Sequence, residues 1–151
     1  MAPAQELGNG ESVLRVLESD VSAAGNQEER RKRILIAEDD AAISALLARV
    51  LGRSYDVVCA DTGPAAILLA QQAPPPDLLL LDVMMPGMDG FRVATGVRAL
   101  PGLKSVPIIF LTAKTSPTDI IEGIKHGARH YIHKPFKIDD VVAKVKKAIG
   151  P

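Results

Sequence analysis

Five side chains stand where short apolar runs stop. Ile34-Leu35-Ile36-Ala37 runs into Glu38 and Asp39, Leu78-Leu79-Leu80-Leu81 into Asp82, the run ending at Leu111 into Thr112, and residues 130–133 into Lys134. Three carboxylates packed together repel one another and need a cation. Hard oxygen ligands with few protein contacts suit Mg2+, which keeps several waters and readily takes a phosphate oxygen as a further ligand. A carboxylate such as Asp82 can also attack phosphorus and form an acyl phosphate. In that chemistry the protein mainly positions groups and neutralises charge on three equatorial oxygens. A metal covers one oxygen, the Lys134 ammonium a second and the Thr112 hydroxyl a third.

Each residue alone has a plainer reading. Acids favour a helix N-terminus, so Glu38-Asp39-Asp40 could simply cap a helix, and Asp40 is expected to do so. Thr112 alone would be a strand-end threonine, Lys134 a solvated lysine and Asp82 a loop acid. Their joint placement at the ends of buried runs points to a site.

The elements that must position them follow from the pattern. The runs at 34–37, 55–60, 78–81, 106–111 and 130–133 read as strands, with 78–81 apolar on both faces as the centre of a parallel sheet requires. Ile43, Leu46, Leu47, Val50 and Leu51 recur at helical spacing, and Gly52 closes that segment. Thr62-Gly63-Pro64 opens a second helix, which Pro74-Pro75-Pro76 ends. Pro86-Gly87-Met88-Asp89-Gly90 is a loop before a helix carrying Val93, Val97 and Leu100, stopped by Pro101-Gly102. Ser116-Pro117-Thr118-Asp119 has the form of a helix start, and Ile138, Val141, Val142, Val145 and Ile149 mark a last helix. Strands alternating with helices predict an α/β fold, a doubly wound five-stranded parallel sheet with five helices. In such a sheet the C-terminal strand ends share one edge, where ligands bind.

Composition narrows the function. The chain has 151 residues, 47% hydrophobic, with 18 basic and 18 acidic residues. Residues 1–33 carry 6 acids and 5 bases and the remainder 12 and 13, so direct nucleic-acid binding gets no support. The single cysteine, Cys59, excludes an internal disulfide framework and fits a reducing compartment. No signal peptide or membrane-length apolar run is present, so the expectation is a cytoplasmic protein with no membrane contact. Residues 1–33 read as a flexible N-terminal arm, although Val13, Leu14, Val16 and Leu17 could line a short helix. Residues 34–150 form the expected domain.

The motifs together are those of a known family. Ile34-Leu35-Ile36-Ala37-Glu38-Asp39-Asp40, Leu81-Asp82-Val83-Met84-Met85-Pro86-Gly87-Met88-Asp89-Gly90, Ile109-Phe110-Leu111-Thr112-Ala113 and Tyr131-Ile132-His133-Lys134-Pro135-Phe136 occur in order at compatible spacing. The chain thereby resembles the CheY-like receiver domain of bacterial two-component response regulators, from Ile34 to about Ile149. The resemblance implies the flavodoxin-like strand order 2-1-3-4-5 and a phosphorylation switch with Asp82 as phosphoacceptor. Glu38, Asp39, Asp82 and the Met84 backbone carbonyl would hold Mg2+, which Mn2+ can replace. Thr112 and Lys134 would grip the phosphoryl oxygens, and Thr112 and Tyr131 would form the switch. The Lys134-Pro135 bond is cis in that family. Glu38 stands where many relatives have aspartate.

The implied phosphate donor is a sensor histidine kinase or a phosphotransfer protein. The implied output face is the fourth helix, fifth strand and fifth helix, residues 116–147, docking a downstream protein or a second copy. Lys125, Lys137, Lys144, Lys146 and Lys147 make that region basic. The protein would be no enzyme on a free substrate, catalysing only its own phosphorylation and dephosphorylation. An aspartyl-phosphate phosphatase needs a second acid two residues after its nucleophile, and Met84 stands there. A degenerate receiver would lack one of the site residues, and all are present. His126, His130 and His133 lack a metal-ligand spacing. Met84, Met85 and Met88 read as loop packing, and Cys59 as an inert strand residue.

Overall fold

A computed structural model describes residues 30–113 and 116–151. Residues 1–29, with most of the expected arm and its Val13–Leu17 side, lie outside the described residues. The elements are β1 Arg33–Ala37, α1 Ala41–Leu51, β2 Asp56–Ala60, α2 Gly63–Ala70, β3 Leu78–Asp82, α3 Gly90–Arg98, β4 Ile108–Thr112, α4 Pro117–Lys125, β5 Ala128–His133 and α5 Ile138–Ile149. The strands form one parallel sheet in the order β2-β1-β3-β4-β5. The expected doubly wound, flavodoxin-like fold is the one observed.

Strand alternation sorts the apolar residues into two cores. Leu35, Leu79, Leu81, Ile108 and Phe110 pack against Ala66 and Ala70 of α2 and Phe91, Ala94 and Val97 of α3. Ile34, Ile36, Leu78, Leu80, Ile109 and Leu111 pack against Leu47 and Leu51 of α1 and Val141 and Val145 of α5. Every residue of β3 and β4 is buried, so these central strands have no solvent face. That explains their continuous rather than alternating apolar runs.

Caps fix where the helices begin. Asp40 Oδ1 accepts from the amides of Ala42 and Ile43, so Asp40 caps α1 as its place in the acidic triplet suggested. Asp89 caps α3 through the Arg92 amide, and Ser116 caps α4 through the Asp119 amide. The Lys134-Pro135 peptide is cis, as is Ala73-Pro74.

The boundaries differ from the sequence reading in physically simple ways. Tyr55 is not in β2: its amide donates to Leu51 O in the last turn of α1, and its hydroxyl donates to Gly150 O beyond α5. β4 begins after Pro107, and β5 begins two residues earlier than expected, at Ala128 paired with Ile108. α2 stops at Ala70, ahead of the triple proline, and α3 stops at Arg98, ahead of Leu100. Gly52 closes α1 with right-handed backbone (φ −64°), so its end needs no left-handed residue.

One glycine couples the fold to the strand end at Asp82. The Gly90 amide donates to Val83 O at 3.0 Å, and a Cβ on Gly90 would lie 2.4 Å from Asp82 O and 3.0 Å from Val83 Cα. These are backbone atoms and cannot swing aside as a side-chain tip can. Gly90→Ala should therefore cost about 1–3 kcal/mol in denaturant unfolding and move the Asp82 backbone amide signal. An unchanged midpoint would show that the loop absorbs the methyl group.

Candidate functional site

β1, β3, β4 and β5 all point their C-terminal ends at one edge of the sheet, and the order of their pairing brings those ends together. Glu38 follows β1 directly, with its amide bonded to Ala60 O of β2 at 3.0 Å. Asp82 is the last residue of β3, and its β4 register partner is Leu111, one residue before Thr112. Thr112 pairs with His133, and the Lys134 amide donates to Thr112 O at 2.8 Å. Strand register thus delivers four separated stretches of sequence to one place.

The side chains meet there. Ligand oxygens of Glu38, Asp39 and Asp82 lie within 4.8 Å of one another, the one such acidic cluster among the described residues. Lys134 Nζ sits between two of them, 2.7 Å from Glu38 Oε1 and 3.3 Å from Asp82 Oδ2. Glu38 Oε2 accepts from the Asp40 amide, and Asp82 Oδ1 from the Met84 amide. Glu38, Asp82 and Thr112 are buried, whereas Asp39 is exposed.

Electrostatics follow from that crowding. Burial pushes the Asp82 carboxyl up most, and the Glu38 charge pushes it further. The Met84 amide and Lys134 pull it back, leaving it at about 7. Burial works to lower the Lys134 ammonium, but its Glu38 hydrogen bond and the Asp82 charge prevail and raise it. Lys134 therefore stays charged and offsets part of the cost of burying Glu38 and Asp82 side by side. With Asp82 ionised, one ammonium against three carboxylates leaves two negative charges, which fits a divalent cation. The donor set is all oxygen, as magnesium prefers.

The predicted site residues divide into those the structure gathers and those it sets apart. Glu38, Asp39, Asp82 and Lys134 are gathered, with Thr112 on the adjoining strand end. Met84 reaches the site only through its backbone, and its side chain is 52% exposed. The loop-packing reading therefore fails for Met84, while Met85 is buried and Met88 packs on the core. Tyr131 lies farther out on β5, its ring 6.3 Å from that of Phe110. His126, His130 and His133 form no ligand cluster with one another or with acids among the described residues. What sequence reasoning missed is the Glu38–Lys134 contact, made across a separation of 96 residues. The strand-end rule placed both residues at the edge but could not say which acid the lysine would choose.

Comparison with known proteins gives one answer. The sequence profile of the response regulator receiver domain matches residues 34–146. The DNA-binding response regulator MtrA of Mycobacterium tuberculosis is 43% identical over 117 residues, 77% of this chain and 50% of that protein. Response regulator PleD of Caulobacter vibrioides is 40% identical over 111 residues, 73% of this chain and 24% of that protein. The chain thus spans half or less of the length of these relatives. Among solved structures, the chemotaxis protein CheY4 of Vibrio cholerae aligns with TM-score 0.73 and 30% identity, covering 78% of this chain and 98% of that one. The non-phosphorylated HemR receiver domain of Leptospira biflexa aligns with TM-score 0.71 and 28% identity, covering 80% and 96%.

The raised Asp82 carboxyl sets a pH-dependent stability. A folded-state value above the unfolded one means that ionisation costs stability, so the cost builds as pH rises from the ordinary carboxylate range to about 7 and is constant above. Asp82→Asn removes it. Without divalent cation, the variant should be more stable than wild type by about 1–3 kcal/mol at pH 8. The gain should be about half of that or less at pH 5. A difference that stays flat between those pH values would contradict the raised carboxyl.

Proposed function

The chain belongs to the response regulator receiver family, and from that premise we propose that it is a phosphorylation switch with Asp82 as the phosphoacceptor. The supporting observation is the meeting of Asp82 with Glu38, Asp39 and Lys134 at the C-terminal edge of the sheet. The donor is the phosphohistidine of a sensor histidine kinase or a phosphotransfer protein. An Asp82 oxygen forms a bond to phosphorus as the P–N bond breaks, and the electron pair returns to the imidazole nitrogen. Water later takes the phosphoryl group and regenerates the carboxylate. The protein thus modifies only its own side chain and turns over no free substrate.

Each residue has a role in that step. Asp39, Asp82 and the Met84 carbonyl would hold Mg2+, or Mn2+ in its place, with Glu38 beside them. The ion would supply positive charge for one phosphoryl oxygen. Lys134 already faces Asp82, so it is placed to pair with a second oxygen without a large movement. Thr112, buried at the adjoining strand end, offers its hydroxyl to a third. Glu38 holds Lys134 in readiness.

Output is assigned to the face of α4, β5 and α5. α4 buries only Gly123, and its Ile120, Ile121 and Ile124 are 38%, 55% and 65% exposed. Three neighbouring isoleucines left in water suit a protein partner better than bare solvent. The Tyr131 ring lies against Gly123, so a shift of Thr112 toward phosphate would be felt by this ring and passed to α4. A downstream protein or a second copy would read the change. The lysines of the region favour an acidic partner surface. No described helix is long and apolar enough to cross a membrane, and a cytoplasmic place of action fits a kinase-driven switch. The receiver body is taken as residues 34–150 and residues 1–33 as a separate arm.

Two measurements test this reading. Acetyl phosphate with magnesium should add one phosphoryl mass to wild type and none to Asp82→Asn, read by intact-mass spectrometry, and a chelator should abolish the gain. Equal labelling of the two proteins would remove Asp82 from its role. Thr112→Ala should still label at Asp82 but show little of the amide-exchange response of residues 116–147 to beryllofluoride. A normal response would show that the hydroxyl is not the coupling element.

A further inference from the structure

We propose that Arg98 and His126 latch the C-terminal end of α4 to α3, so that α4 answers the phosphorylation site by swinging its N-terminal end about that fixed C-terminal end. The inference rests on the switch reading above and assigns these two positioning residues to it.

Burial alone holds α4 weakly. Gly123 is its one buried residue, whereas α3 buries Gly90, Phe91, Val93, Ala94 and Val97. The end of α4 is instead held by polar and ring contacts with α3. Arg98, the last residue of α3, donates from Nη1 to His126 O at 2.7 Å and from Nη2 to Val106 O at 2.8 Å and Gly127 O at 3.3 Å. A cation on the last carbonyls of a helix is favoured by their partial negative charge. The His126 ring stacks on Phe91, with centroids 5.2 Å apart and planes 12° from parallel. Its Nδ1 lies 3.2 Å from Thr95 Oγ1 and its Nε2 3.1 Å from Glu122 Oε2.

The two ends of α4 would cost different amounts to move. Arg98 Nε is buried without a hydrogen-bond partner, and burial followed by the Arg129 charge lowers the guanidinium. Withdrawing His126 O and Gly127 O would leave further N–H donors of this partly buried cation without acceptors. At the other end, Ser116 Oγ accepts from the Asp119 amide and donates to Asp119 Oδ2. Those bonds are internal to the cap and can travel with the helix.

Gly123 is the lever point. A Cβ there would lie 2.9 Å from Tyr131 Cδ2, so the ring bears directly on the α4 backbone. With the end fixed at His126, Gly123 is three residues from the pivot and Pro117 nine. On a rigid helix of uniform rise, a displacement at Gly123 grows about threefold at Pro117. The ring contacts continue inward from the latch, His126 on Phe91, Phe91 edge-on to Phe110 at 5.0 Å, and Phe110 beside Tyr131. Latch and lever therefore act on one packed unit.

The test is residue-level amide exchange of the full chain with magnesium, with and without beryllofluoride. In wild type the response should be at least about fivefold larger at residues 118–121 than at 124–127. In Arg98→Met and in His126→Ala the response should spread to 124–127, while beryllofluoride affinity stays within about twofold of wild type. Thr95→Val removes one partner of the His126 ring from an exposed position, and should flatten the gradient partly even if Arg98→Met fails to fold. A uniform response in wild type, or an intact gradient in the variants, would overturn the latch. Bound beryllofluoride, seen by fluorine NMR, with no response anywhere in α4 would instead overturn the switch reading beneath it.

Discussion

The Lys134 ammonium is the group on which this molecule's working end depends. A sheet whose central strands are buried on both faces ends abruptly in carboxylates, and two of these, Glu38 and Asp82, are themselves buried. Two like charges in such a place repel strongly, and burial together with the Glu38 charge pushes the Asp82 carboxyl up. Lys134 lies against both. It lowers the cost of keeping them ionised, yet leaves Asp82 with a carboxyl well above its ordinary range. The site is held together but not fully neutralised. On the proposed reading, that imbalance would favour a divalent cation and then a phosphoryl group at this edge.

The fold provides this arrangement with little machinery. Parallel pairing puts every strand's C-terminal end on one edge, so any polar residue that ends an apolar run arrives there. Register does the fine placement, since Asp82 is opposite Leu111 and Thr112 opposite His133. Gly90 lets the start of α3 lie against the backbone of Asp82 and Val83. The helices contribute mainly by covering the two faces, and they are unequally buried. α3 is sunk into the core along its length, while α4 rests on a glycine and a tyrosine ring.

Much of this was legible in the sequence because the physics is local or topological. Apolar runs ending in Glu38, Asp82 and Thr112 announce strand ends, and alternation of strands with helices announces the shared edge. Asp40 and Ser116 announce helix starts through the hydrogen bonds their side chains can accept. What was not legible depends on partners far apart in the chain. Tyr55 looks like a strand residue by type, but its role is to tie the end of α1 to the end of α5. Met84, Met85 and Met88 are alike in composition, and only the turn of the loop leaves the first in solvent. Nothing near Arg98 in sequence shows that it will cap α4, because the carbonyls it finds belong to residues 126 and 127.

β5 is also an edge strand of the sheet, as β2 is at the other side, and among the described residues only β4 pairs with it. An outer strand offers unpaired backbone groups to any other extended chain, and a regular apolar one invites stacking of sheets between molecules. Here the six residues of β5 include Arg129, His130 and His133, with Arg129 and His133 exposed. Burial, and after it the charges of Lys147, Lys144 and Arg129, disfavours protonation of His130. A second β5 laid alongside would bring this positive charge against its own likeness and lose the water around it. The same side chains proposed to face an acidic partner therefore also disfavour growth of the sheet from this edge.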